Sequence, residues 1–106
     1  MVLLRMTLWN LAVIVGIASC GSSGPSTPEE RGREIYMTSC IACHSPNPAQ
    51  PGALGPELKG ASRELIEARV LRADYPAGYK PKRTTRQMVK MPQLAQSIED
   101  LAAYLK

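Results

Sequence analysis

Along the chain, apolar and polar positions mark off a leader, a polar bridge and a helical region. An apolar run from Met6 to Ala18, broken only by Thr7 and Asn10, follows a single basic residue, Arg5. It is shorter than the ~20 residues that span a bilayer comfortably. With its basic start it has the pattern of an export signal, assigned to residues 1–19. Residues 21–26 are only Gly, Ser and Pro, a composition that neither packs nor holds one conformation and so reads as a flexible tether, 20–26 with the preceding Cys20. Beyond Thr27, apolar residues recur at helical spacing. They are Ile35 and Tyr36 in a first segment, Leu65, Ile66, Val70 and Leu71 in a second, and Leu94, Ile98, Leu101, Ala102 and Leu105 in a last. No stretch alternates like a strand for more than three or four residues. The expected fold is therefore an all-α domain over 27–106.

Local signals place the helix ends. Thr27-Pro28-Glu29-Glu30 offers an N-cap, a proline at the first helical position and a glutamate that closes a capping box. Gly32 costs the first helix ~1 kcal/mol against Ala, so it calls for a reason such as the close approach of another helix. From Ser45 to Gly60 there are four Pro and three Gly in sixteen residues. Repeated fixed φ angles and missing donors exclude regular structure there, and the segment reads as a loop that wraps something. Ser62 is placed to cap a helix over 63–73, ended by Tyr75-Pro76. The last helix is expected from about Gln96 to Lys106.

Composition sharpens this picture. Phe is absent and aromatics make up 5% of 106 residues, so a folded part of about 80 residues has few large side chains with which to build a core. The formal charge is +4. Lys80, Lys82, Arg83, Arg86 and Lys90 cluster where no acidic residue occurs between Asp74 and Glu99. Basic and aromatic residues are not interleaved and no nucleic-acid motif is present, which leaves an acidic protein partner or an anionic membrane surface as the expected counterpart.

The candidate chemistry is concentrated in Cys40-Ile41-Ala42-Cys43-His44. Two thiols at this spacing can each add to one vinyl group of a haem, and the following histidine then falls beneath the iron as its proximal ligand. A structural zinc site needs four Cys or His ligands, whereas this chain has three Cys and one His. A thioredoxin-like pair needs a preceding strand, which the pattern lacks. A plain Cys40–Cys43 disulfide leaves His44 unexplained. A buried haem c would also supply the missing apolar mass. The single His in the chain rules out a second imidazole on the opposite face of the iron, and methionine is the leading candidate there. Met37 sits too close to His44 in the chain to reach it, leaving Met88 and Met91. Met91 precedes a proline, which pushes its backbone toward an extended conformation that projects the thioether, and so is the preferred ligand. At the other end of the chain, Ile17-Ala18-Ser19-Cys20 resembles a bacterial lipobox. Cys20 would then be the lipid-modified N-terminus, holding the protein at the outer side of a membrane.

From about Thr27 to Lys106 the chain resembles a class I cytochrome c. The resemblance rests on Gly32 and Tyr36, Cys40 to His44, Gly55 to Gly60, Met91-Pro92, and the ending Leu101 to Leu105. It implies three to five helices around one covalent haem. It also implies that Gly32 lets the last helix cross the first near Leu101 and Tyr104, and that Pro56 offers its carbonyl to His44 Nδ1. The basic loop before Met91 matches no subgroup pattern, so the partner is not given by the resemblance.

The function expected is single-electron transfer between extracytoplasmic redox partners through a His44/Met91-ligated haem, with no catalysis by the chain itself. The basic residues 80, 82, 83, 86 and 90 would serve for docking. The alternatives are a dedicated haem-relay subunit of a larger respiratory or oxidoreductase complex and, less well supported for want of a distal histidine, a haem enzyme or gas sensor. Mass spectrometry of the mature N-terminus checks the leader. The expected outcome is a chain that begins at a diacylglycerol-modified Cys20, and a free Cys20 thiol or a chain that still begins at Met1 would contradict it.

Overall fold

The computed structural model describes residues 27–106, together with Gly16, Gly21, Ser23 and Gly24. The expected signal, apart from Gly16, and the lipid acceptor Cys20 lie outside the described residues. Among the described residues no helix is long and apolar enough to cross a membrane. The architecture is all-α: α1 (Pro28–Ser39), α2 (Arg63–Arg72) and α3 (Ile98–Leu105), with a 3₁₀ turn (Pro92–Ser97) running directly into α3.

Helix α1 begins where the local signals put it. The Thr27 hydroxyl accepts from the Glu30 amide at 3.1 Å, and the Glu30 carboxylate accepts from the Thr27 amide at 3.0 Å. Two of the otherwise orphaned amides are thereby satisfied. Helix α2 is capped by Ser62, whose hydroxyl accepts from the Leu65 amide. It ends at Arg72 rather than Ala73, because Ala73 turns left-handed at φ 52°. That conformation costs a non-glycine residue roughly 1–2 kcal/mol. Bonds from the Ala73 amide to the Arg69 carbonyl and from the Asp74 amide to the Ala68 carbonyl offset it by satisfying the open end of the helix. The stop thus comes before Tyr75-Pro76. Ile66 and Val70 face inward as expected and Ala68 joins them, while Leu65 and Leu71 are half-buried. The last element begins earlier than the expected Gln96, as the 3₁₀ turn that Pro92 opens. Leu94 is half-buried in that turn, and Ile98, Leu101 and Leu105 of α3 are buried.

The crossing of α1 and α3 sets the frame. A Cβ added to Gly32 would lie 1.9 Å from the Asp100 carbonyl oxygen and 2.9 Å from Tyr104 Cβ. The two backbones are therefore in contact at this point. Arg31 donates through Nε and Nη2 to the two carboxylate oxygens of Asp100, at 3.0 and 2.9 Å, and the rings of Tyr36 and Tyr104 meet 5.5 Å apart. The crossing that the resemblance implies is present, with Asp100 and Tyr104 against Gly32 and Leu101 in the buried cluster.

Replacing Gly32 with Ala gains ~1 kcal/mol of helix propensity. The new methyl group, however, strikes backbone that no rotamer change can move, and overpacking of this kind costs typically 1–3 kcal/mol or more. Crowding should win. Gly32→Ala is expected to lower the thermal midpoint of the haem-loaded protein by about 5 °C or more, and an unchanged or raised midpoint would show that the crossing is not tight.

Candidate functional site

The site begins at the end of α1. The Cys40 amide still bonds the Tyr36 carbonyl, and the Cys43 and His44 amides then turn back onto the Cys40 carbonyl at 3.3 and 3.0 Å. This bend brings two half-buried cysteines, both with free thiols, to the wall of one cavity of ≈ 610 Å³. Tyr36, 0% exposed, fixes the next step by donating its hydroxyl to the Ser45 carbonyl. Burial pushes the Tyr36 hydroxyl up to about 12, so it remains a donor at neutral pH. Burial likewise pushes the Cys40 thiol up to about 11. A redox or metal-binding thiolate requires the opposite shift.

Among the described residues, His44 is the one buried polar or charged residue, 9% exposed. Its Nδ1 lies 2.9 Å from the Pro56 carbonyl. A carbonyl only accepts, so Nδ1 carries a hydrogen, which leaves Nε2 as the ring nitrogen for a ligand bond. The surrounding turn explains why Pro56 can come so close. Leu54 and Gly55 amides both bond the Cys43 carbonyl, at 3.2 and 2.9 Å, and the Gly52 amide bonds the Gly55 carbonyl at 2.9 Å. Gly55 lies flat against the imidazole, where a Cβ would stand 2.3 Å from Cε1. Only glycine fits that position. The rest of the proline-rich loop is tied to the domain by the Leu58 and Lys59 amides, which bond the Pro48 carbonyl, and by Gly60 to Leu105 at 2.6 Å.

Both candidate methionines, Met88 and Met91, line the same cavity as His44. The Met91 amide donates to the Val70 carbonyl at 2.7 Å, which fastens that residue to the end of α2. Met91 has φ −129° and ψ 66°, outside the helical region, as its place before Pro92 requires. Met37 packs against the core from α1 and does not line the cavity. Leu58, Ile66, Val70, Leu101 and Leu105 supply much of the wall.

The five basic residues divide into two groups. Lys82 Nζ donates to Glu57 Oε1 at 3.0 Å and to the Glu57 carbonyl at 3.3 Å, and Arg83 Nη2 donates to the Gly52 carbonyl at 3.2 Å. The Glu57 carboxyl is held below its usual range, by a bond from its own amide first and by Lys82 second. Lys80, Arg86 and Lys90 are exposed and have no ion-pair partner among the described residues. One further group at the cavity had no sequence signal. Tyr75 and Tyr79 stack at 5.5 Å, and the Arg69 guanidinium lies 4.2 Å over the Tyr75 ring.

This donor set suits a haem. Two thiols three residues apart, one imidazole whose Nδ1 faces the Pro56 carbonyl and two thioethers border a cavity whose wall is mainly apolar. Among the described residues no three His, Cys, Asp or Glu side chains gather closely enough to hold a metal ion by themselves. The site therefore fits an iron that arrives in its own macrocycle and needs only axial donors. In comparison with known proteins, a family model described as Cytochrome c matches residues 29–106. No curated protein and no solved structure matches the chain.

Proposed function

This chain belongs to the cytochrome c family and binds covalent haem c with iron, and from that premise we propose that it passes single electrons between extracytoplasmic redox partners through a haem held by Cys40, Cys43, His44 and Met91. The observation that carries the reading is the meeting of His44 and Met91 at one apolar cavity beside two free thiols. Bound haem supplies a one-electron ferric/ferrous couple, and closed His/Met ligation leaves no position for a substrate.

Each residue has a separate task. Cys40 and Cys43 hold the macrocycle by thioether bonds. The Pro56 carbonyl fixes the tautomer and orientation of His44 and raises the basicity of its free nitrogen. Met91 contributes a neutral, soft sulfur that favours the ferrous state and so raises the potential. Its amide bond to Val70 fastens its backbone to the end of α2. Leu58, Ile66, Val70 and Leu101 keep water from the site, and a dry, fixed surrounding reduces the rearrangement that accompanies electron transfer.

Cys20, lipidated, would anchor the protein at the outer side of a bacterial membrane, with residues 21–26 as a tether of ~20 Å at full extension. An acidic face on the redox partner would meet Lys80, Arg86 and Lys90. Val89, next to Lys90 in the chain, is 70% exposed and is among the residues that line the cavity. Opposite charges steer such an encounter and an exposed apolar residue gives it a point of contact.

The test is the weak sulfur-to-iron absorption band of the ferric protein. Met91→Ala should abolish it and lower the reduction potential by on the order of 100 mV, while Met88→Ala should leave both in place. Loss of the band in Met88→Ala alone would transfer the ligand role to Met88.

A further inference from the structure

The segment between α2 and the 3₁₀ turn, residues 73–91, crosses the Met91 side of the cavity without any regular structure. A strap of this length needs fastening if it is to hold one position, since ordering each residue costs about 1–2 kcal/mol of backbone entropy. Its two ends are fastened to α2. At the start, Tyr79 stacks on Tyr75 and Arg69 of α2 covers the Tyr75 ring at 4.2 Å. At the exit the Met91 amide bonds the Val70 carbonyl. Between these ends, the polar ties across to another part of the chain come from Lys82 and Arg83.

Both of those ties reach the same turn. Lys82 meets Glu57, the residue after Pro56, and Arg83 meets the carbonyl of Gly52 at the start of the turn that encloses His44. We propose that Lys82 and Arg83 are positioning residues which clasp the strap carrying Met91 to the turn that orients His44, and so set how readily an outside ligand displaces Met91. The proposal rests on Met91 ligation as read above and takes it further. It takes Lys82, paired with Glu57, and Arg83, hydrogen-bonded to Gly52, out of the set of side chains offered for docking. It also predicts a salt response of a particular kind. Lys82 and Glu57 are each 43% exposed in their side chains, so their attraction is screened by ions in solution. The bond from Arg83 goes to a half-buried backbone carbonyl, and its attraction to Glu57 is the smallest of the influences on that carboxylate, so salt should weaken this tie less.

The experiment titrates the ferric, haem-loaded full chain with imidazole, followed by visible absorption, at low salt and in about 1 M NaCl, far above the ionic strength at which surface pairs are screened. At low salt, Lys82→Met and Glu57→Gln are expected to bind imidazole about fivefold more tightly than the wild type, the upper end of what an exposed pair contributes. At high salt the wild type should converge on them. Arg83→Met should also bind more tightly, with a difference that persists at high salt. Lys82→Arg should restore the wild-type affinity. Arg33→Gln, which removes a cation from the far side of α1, should leave it unchanged.

A general loss of stability would lower the thermal midpoint without this pattern of affinity and salt. If Lys82→Met and Glu57→Gln bind imidazole as the wild type does while its sulfur-to-iron band is intact, the clasp is overturned and Met91 ligation stands. If the wild-type ferric protein has no such band, Met91 ligation is overturned and the clasp falls with it.

Discussion

The helices of this domain surround a cavity of ≈ 610 Å³ where a protein of comparable size would place side chains. Tyr36, Ile66, Val70, Ile98, Leu101 and Leu105 form the buried cluster. Tyr36, Ile66, Val70, Leu101 and Leu105 belong to the cavity wall as well. The chain has no Phe to contribute to that space. Atoms that line a void lose their contacts on one side, and a domain of about 80 residues has little apolar burial in reserve. Haem c is therefore the central part of the core as well as the redox group, and its covalent attachment keeps that core in place.

Around this cavity the chain has a sequence of close fits, each of which positions the next. Backbone contact at Gly32 sets α3 against α1. The crossing leaves Tyr36 buried beside Tyr104, with its hydroxyl on the carbonyl that follows His44. Gly55 then lets the turn lie on the imidazole, so that the Pro56 carbonyl orients the ring. Function depends on this order because an iron ligand must be presented by rigid surroundings. The Met91 side is built differently. It hangs on a strap with few fastenings, and under the proposed ligation exchange of Met91 would follow from that asymmetry.

Much of this was legible in the sequence, and what was legible had a local cause. The capping box of Thr27 and Glu30, the cap at Ser62 and the proline-rich loop each follow from a few adjacent residues. Gly32 was readable because a glycine inside a helix needs a reason, and the five-residue Cys-Cys-His motif because its spacing serves little else. The features that were not legible arise from contacts distant in sequence. Lys82 is 25 residues from Glu57, and Arg83 is 31 from Gly52, so charge counting placed both in an open basic patch. The early stop of α2 at Ala73 depends on a left-handed residue with no glycine to announce it. Ala68 is too small to stand out in a hydrophobic pattern, and the Arg69, Tyr75 and Tyr79 stack has no periodicity that would connect its members.

If haem c is the central part of the core, the domain should not fold without it. Far-ultraviolet circular dichroism of a Cys40→Ala, Cys43→Ala double variant, expressed without attached haem, measures this directly. The account predicts weak helical signal and no cooperative thermal transition. A double variant with the full helical signal and a cooperative transition would contradict it, since the three helices would then be holding their arrangement around an empty centre.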